Sequence, residues 1–217
     1  MKVLIIGAGG HARVVYEVLR YDKNVDVVAF VDNVTRGADE EIMGVPMVGD
    51  HSVIPAFVKN GVKGAIVGIG DNGIRAGYFR QLKAMGIELI KAIHPTAHVA
   101  FNARIEEGCM VVAGATVATS ARVGRNVIVN TGAIIEHEDI LGDHVHIAPG
   151  VVLAGRVRVG EETFIGAGSI VKENITIGSN VTVGAGSIVL SDIPDNAVAI
   201  GVPAKIIDIK ERNVVNA

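Results

Sequence analysis

The chain has no tryptophan, and only three tyrosines and five phenylalanines among 217 residues. An interior without large rings must be filled by aliphatic side chains. There is one cysteine, Cys109. A lone thiol cannot close an internal disulfide, which points to a reducing, cytoplasmic location. The formal net charge is only −3. That is far from the basic excess that nucleic acid or a membrane surface demands, so neither is expected as a partner. No apolar run approaches the ~20 residues of a membrane span. The apolar start at residues 3–6 is too short for a signal-peptide core and runs straight into a glycine turn.

What is abundant is a period. From Ile93, Val99, Ile105 and Val111 on to Val183 and Val189, every sixth residue is aliphatic, seventeen times without an insertion. A helix repeats at about 3.6 residues and a strand at about 2, so neither gives six. Sustained over roughly 100 residues, that period marks a parallel β-helix. The position four residues after each aliphatic is mostly small or β-branched, as at Ala97, Ala103 and Ala115, which suits an inward side chain at a tight corner. Glycine directly follows the aliphatic at Gly124, Gly142, Gly160, Gly166, Gly178 and Gly184. Three hexads per coil give three faces, with coils stacked at about 4.8 Å. Such a prism cannot fold coil by coil, and its flat faces suit self-association. Residues 93–217 are read as this β-helix with a C-terminal cap, closed by Ala199-Ile200-Gly201-Val202-Pro203-Ala204-Lys205.

Residues 1–92 read differently. Strands at 3–6, 27–31, 65–69 and 88–92 alternate with helices at 12–20, 52–59 and 74–85. Alternation of this kind gives a small Rossmann-like α/β domain, a parallel sheet covered by helices. Gly7-Ala8-Gly9-Gly10-His11-Ala12 fits the dinucleotide fingerprint, and Asp32 sits where a ribose-binding acid would be. An NAD enzyme is the naive reading. Yet the domain is about half a two-half dinucleotide fold, and no domain for hydride chemistry follows. A mononucleotide or nucleotide sugar fits better, its phosphates at the helix N-terminus. The bland alternative is a tight turn that binds nothing.

His137, His144 and His146 fall within ten residues, among Glu136, Glu138, Asp139 and Asp143. A histidine beside carboxylates suits general-base work. Asp139 breaks the small-residue phase and would place a carboxylate inward or at a corner. A buried charge needs a partner, and His137 is the nearby candidate. The alternatives are a solvated acidic face, or zinc held by three histidines across subunits as in β-helix carbonic anhydrases. His144 and His146 could share a strand face, but no further ligand set stands out, so no metal is expected. Cys109 occupies the inward phase, where a thiol is normally inert.

The hexads followed by Gly201-Val202-Pro203-Ala204-Lys205 resemble the left-handed β-helix acyltransferases of the hexapeptide-repeat superfamily. The handedness comes from the resemblance alone. More narrowly, the Gly7–His11 turn, Glu136-His137-Glu138 and His144-Val145-His146-Ile147-Ala148-Pro149-Gly150 resemble sialic-acid O-acetyltransferases and bacillosamine-pathway amino-sugar N-acetyltransferases. This resemblance covers essentially the whole chain. It implies a homotrimer holding an acceptor sugar, commonly UDP-linked, between the N-terminal domain and the β-helix. It implies His137 as general base and Glu138 as the acid that raises its basicity. Asn130 would lie near the acceptor, and Gly9, Gly10, His11, Asp32, Asn33 and Gly70 would contact the nucleotide sugar. Acetyl-CoA would be bound at His146, Gly155, Ala167 and Ala185, with His146 supplied by a neighbouring subunit.

The implied reaction belongs to glycan biosynthesis. Acetyl-CoA would give its acetyl group directly to the 4-amino group of a UDP-linked 4-amino-4,6-dideoxy sugar, in a ternary complex. O-acetylation of sialic acid or a related nonulosonic acid is the alternative, since a hydroxyl needs the same base. A trimeric scaffold with a vestigial pocket is the non-enzymatic one. Neighbours on a strand face opposite ways, so Glu138 needs a corner conformation to reach His137.

Overall fold

A computed structural model of the protein describes residues 1–33 and 40–209. In the N-terminal part, β1 (Lys2–Ile6), β2 (Asp26–Val31), β3 (Glu41–Ile42), β4 (Val45–Val48), β5 (Gly64–Val67) and β6 (Glu88–Leu89) form one sheet, in the order β3-β4-β2-β1-β5-β6. All neighbours are parallel except the β3–β4 hairpin. Four of the five residues of β1 are buried, as an apolar run covered on both faces should be. Helices α1 (Gly10–Leu19), α2 (Ile54–Lys59) and α3 (Asn72–Ala84) cover it.

Element boundaries differ from the sequence reading at informative places. The helix expected over 52–59 begins as a 3-10 turn, His51–Val53, whose cap Asp50 accepts from the Ser52 N–H at 2.8 Å. The strand expected over 88–92 stops at Leu89, because Ala92–Ile93 pairs instead with Met110–Val111. The hairpin at Met43–Gly44 went unread. Both turn residues have positive φ, 54° and 79°, as a two-residue hairpin turn requires.

The rest is a left-handed parallel β-helix of two-residue strands. Face 1 stacks Met110 on Ile128, His146 and Phe164, each one coil apart. Face 2 stacks Thr116, Ile134, Val152, Ile170 and Ile188. Face 3 stacks Arg104, Arg122, Ile140, Arg158 and Thr176. The second residue of each strand is the hexad aliphatic, and those from Val111 to Val189 form the buried column. Corners turn through left-handed residues such as Glu138, His144 and Gly150, with φ of 64°, 62° and 68°. Stacking explains the glycines after the aliphatics: a Cβ on Gly160 would lie 2.5 Å from the backbone of the next coil. The antiparallel hairpin Ala197–Gly201/Ala204–Ile209 closes the C-terminal end.

The two parts share a core. Ala12, Val15, Val18 and Leu19 on α1 pack in one cluster with Met110, Val112 and Ile128 of the β-helix. That apolar joint seats α1, and the sheet face it covers, against face 1.

Candidate active site

β1 lies between β2 and β5, so the loops leaving β1 and β5 part at their carboxyl ends. That topological switch point is where open α/β sheets bind ligands. Gly7 has φ +106°, and a Cβ there would meet Ile69 Cγ1 at 2.9 Å. On the facing loop, a Cβ on Gly68 would reach Ala12 Cα at 2.8 Å, so the fingerprint's last position serves close packing. Gly9 and Gly10 instead have open space beside them, leaving the turn free for close approach. Asp32 Oδ2 accepts from the Ala8 N–H at 2.7 Å, so this acid also fastens the glycine turn. Asn33 Nδ2 donates to the Tyr78 hydroxyl at 3.5 Å.

His146 rises from face 1 into this crevice. Its Nδ1 lies 3.1 Å from the Gly70 carbonyl oxygen, and its Nε2 lies 3.4 Å from Asn130 Nδ2. The His11 ring is 6.0 Å away and donates from Nε2 to Met110 Sδ at 3.2 Å. Burial, reinforced by the nearby charge of Arg75, pushes both imidazoles down to about 4, so both are neutral at physiological pH. The structure therefore gathers His11, Gly70, Asn130 and His146 at one place.

His137 lies elsewhere, at the exposed corner between faces 2 and 3. The left-handed Glu138 swings its carboxylate back to His137 Nδ1, at 3.2 Å. This is the corner conformation the pairing needs. Arg156, one coil on, donates from Nε to the same Oε2 at 3.1 Å. The hydrogen bond to His137, then the Arg156 charge, hold the Glu138 carboxyl below its ordinary range. With Nδ1 engaged by Glu138, Nε2 is the nitrogen that keeps its lone pair. It lies over Gly155, where a Cβ would fall 2.5 Å from both Cε1 and Nε2. Ala167 and Ala185 are exposed one coil apart at a different corner, between faces 1 and 2. In one chain, then, His137 and Gly155 stand apart from His146, Ala167 and Ala185.

Three further readings meet the geometry. Asp139 is fully buried, but its partners are the backbone N–H groups of Glu136 and Val157 at 2.9 and 2.8 Å, not His137. Burial pushes its carboxyl up to about 8. His144 is wedged inside, accepting at Nδ1 from Asn126 Nδ2 at 2.9 Å and edge-on to Phe79. Neither can meet a substrate as a base. The Cys109 thiol donates to the Gly124 carbonyl at 2.9 Å and is pushed up to about 12 by burial, which leaves it inert. Among the described residues, no group of three or more His, Cys, Asp or Glu is placed to hold a metal. None of their helices is long and apolar enough to cross a membrane.

Sequence reasoning passed over Arg75 and Arg156. Arg75 shares a helix face with Phe79 and Leu82, a signal that it points inward. Arg156 is one coil after Glu138, which the 18-residue repeat would have exposed.

Residues 2–82 match the PglD N-terminal domain family, and residues 156–191 match the bacterial transferase hexapeptide family. A search of curated proteins finds no match. Among solved structures, a perosamine N-acetyltransferase from Caulobacter crescentus, with one histidine replaced by asparagine and bound to CoA and GDP-perosamine, is 42% identical. The alignment covers 95% of this chain and 96% of that one, with a TM-score of 0.89. The acetyltransferase domain of PglB from Neisseria gonorrhoeae, bound to acetyl coenzyme A, is 36% identical over 94% and 98% of the chains, also with a TM-score of 0.89. WeeI from Acinetobacter baumannii shares the fold at 20% identity over 95% and 100%, with a TM-score of 0.86. The chain belongs to the hexapeptide-repeat, left-handed β-helix family of CoA-dependent sugar N-acetyltransferases that carry a PglD-type N-terminal domain.

Proposed function

We propose that the protein moves the acetyl group of acetyl-CoA to the amino group of a nucleotide-linked amino sugar. The observation that carries this is the His137–Glu138 pair, with Nδ1 held by the acid and Nε2 open over a glycine. His137 Nε2 takes a proton from the amine as its nitrogen attacks the thioester carbonyl. The carbon–sulfur bond then breaks, and the imidazolium returns the proton to the CoA thiolate. Glu138 orients the ring and stabilises its charged form. No acyl-enzyme forms. The Gly155 N–H has no acceptor among the described residues, and it is our candidate donor to the oxyanion.

The acceptor is a nucleotide-linked 4-amino-4,6-dideoxy sugar. The glycine turn with Asp32 favours a nucleotide over free sialic acid. Uridine is the nucleotide that the sequence resemblance implies. The GDP-perosamine bound by the Caulobacter relative makes guanosine the second base to test. The deciding assay is CoA release with UDP- and GDP-linked 4-amino sugars beside free sialic acid. Release on sialic acid alone would overturn N-acetylation.

The active form is a homotrimer. Face 2 presents an outward aliphatic column, Ile134, Val152, Ile170 and Ile188, with Ile170 46% exposed. The column is flanked by the His137/Gly155 corner on one side and the Ala167/Ala185 corner on the other. A donor that touches both corners and meets His146 must lie between two protomers. Co-expressing His137→Ala with His146→Ala chains tests this at sub-saturating acetyl-CoA. Sites shared between protomers regain activity in mixed trimers, and sites within one protomer do not. Such a CoA- and nucleotide-sugar-using enzyme, with its single buried thiol, belongs in the cytoplasm.

A further inference from the structure

Arg75 is fully buried, and no carboxylate among the described residues hydrogen-bonds or salt-bridges to it, Asp71 and Glu162 acting on it only through longer-range charge. It stands in the first turn of α3, where the helix dipole already opposes a cation. Burial lowers its ordinarily very high pKa to about 10, which still leaves it charged. A fold does not accept such a placement without an offsetting gain. Its hydrogen bonds show where the gain lies. One side of the fork, Nη1, donates to the carbonyls of Ile69 and Gly70 at 3.2 and 3.1 Å. Nη2 donates to the His144 carbonyl at 2.7 Å, just before His146, and to Asn72 Oδ1 at 2.8 Å. Nε donates to the Asn126 carbonyl at 3.1 Å. One guanidinium thus clasps the loop that carries Gly70 and the turn that leads into His146.

These are the two ends of the His146–Gly70 hydrogen bond. A carbonyl oxygen only accepts, so His146 must carry its proton on Nδ1. In a neutral imidazole the other nitrogen is then a lone pair. Asn130 Nδ2, a donor, lies beside that nitrogen and agrees with the assignment. The Gly70 oxygen has two lone pairs and serves both Arg75 and His146.

We propose that Arg75 is a positioning residue that fixes His146 in the Nδ1–H tautomer, so that the one Nε2 lone pair, which Asn130 Nδ2 meets only at 3.4 Å, accepts a hydrogen bond from a substrate N–H or O–H that displaces Asn130. His146 then reads a donor group and moves no proton. That donor is an amide N–H of acetyl-CoA or a hydroxyl of the sugar. The kinetic part rests on the acetyl-transfer reading, and the tautomer itself does not.

The test uses the full chain labelled with ¹⁵N at histidine. In the wild type, the His146 spectrum should show a protonated Nδ1 and an unprotonated Nε2, without any turnover. The opposite tautomer would overturn the proposal and leave the acetyl-transfer reading untouched. Arg75→Met, checked for assembly, should give a mixed tautomer. It should also raise the KM of one substrate about three- to tenfold, the worth of one hydrogen bond, with kcat nearly unchanged. The substrate whose KM moves is the one that supplies the donor. If Arg75→Met does not assemble, Arg75→Lys replaces it, since an ammonium cannot span both sides of the junction. A pure Nδ1–H tautomer in the assembled variant, or no change in either KM, sinks the role of Arg75.

Discussion

The imidazole of His137 rests on Gly155, one coil further along the β-helix. A Cβ at Gly155 would sit 2.5 Å from two ring atoms of His137. The backbone does not require glycine there, since its φ is not in the left-handed range. Space is therefore what the glycine provides. Gly155→Ala should leave the fold and trimer intact and push the base out of line. A displacement of about 1 Å can cost about 10² in rate. Steady-state kinetics should show kcat falling by that order with acceptor KM little changed. An unaltered kcat would mean that the imidazole is not seated on this glycine during turnover.

His137→Ala should lower kcat by about 10²–10⁴, the usual worth of a general base, with acceptor KM nearly constant. Glu138→Ala should cost less, because it removes an orienting group and leaves the base. Arg156 shares the Glu138 carboxylate with His137. Arg156→Ala should therefore shift the pH profile of kcat/KM upward, as Glu138 then serves His137 alone. A near-wild-type kcat for His137→Ala on the true acceptor would exclude the mechanism. His144 and Asp139 could not then replace it, because the His144 Nδ1 lone pair is taken by Asn126 and both Asp139 oxygens are held by backbone N–H groups.

Much of this was legible because the β-helix repeats its geometry every coil. The hexads marked the inward column from Val111 to Val189, and the glycine-after-aliphatic positions marked where coils press together. Asp139 stood out by breaking its phase. Its partners did not, because they are backbone N–H groups that no residue type announces. Arg75 was missed for a related reason. A charged residue in a helix is normally solvated, and here it is held by carbonyls from two distant segments. The separation of His137 from His146 follows from their strand phase, and only the coil geometry makes it visible.

Asp32 has a structural duty as well as any contact with nucleotide. Its Oδ2 accepts the Ala8 N–H at 2.7 Å. Asp32→Ala should cost about 1–2 kcal/mol by thermal unfolding, the price of an unmet donor. Asp32→Asn keeps an acceptor oxygen and should recover that stability. If the acid also contacts the ribose or base, Asp32→Asn should still bind uridine nucleotide more weakly in calorimetry. Wild-type protein should bind NAD no better than the uridine nucleotide. A clear NAD preference would restore the dinucleotide reading of the glycine turn.

Four buried groups should give the protein a stability maximum near pH 6.5. His11, His144 and His146 are each lowered from 6.5 to about 4, with desolvation the first cause. Unfolded, they bind protons below 6.5, and folded they do not. Their contribution is present above that pH and is lost as pH falls to about 4. Asp139 is raised from 3.8 to about 8, again by desolvation. Its contribution is complete below 3.8 and is lost as pH rises through about 8. Between about 4 and 6.5 the three histidines outweigh the one acid, so stability climbs with pH. Above about 6.5 only Asp139 of the four still differs between the folded and unfolded states, and stability falls. At 1.36 kcal/mol per pH unit, the loss to pH 8 is about 2 kcal/mol. Urea melts at about pH 5, 6.5 and 8 measure this. Asp139→Asn cannot titrate, so its curve should keep the acid limb and stay flat above about pH 6.5 whatever its absolute height. A wild-type curve that keeps rising to pH 8 would mean that Asp139 is ionised in the fold, with the two backbone N–H groups outweighing its burial.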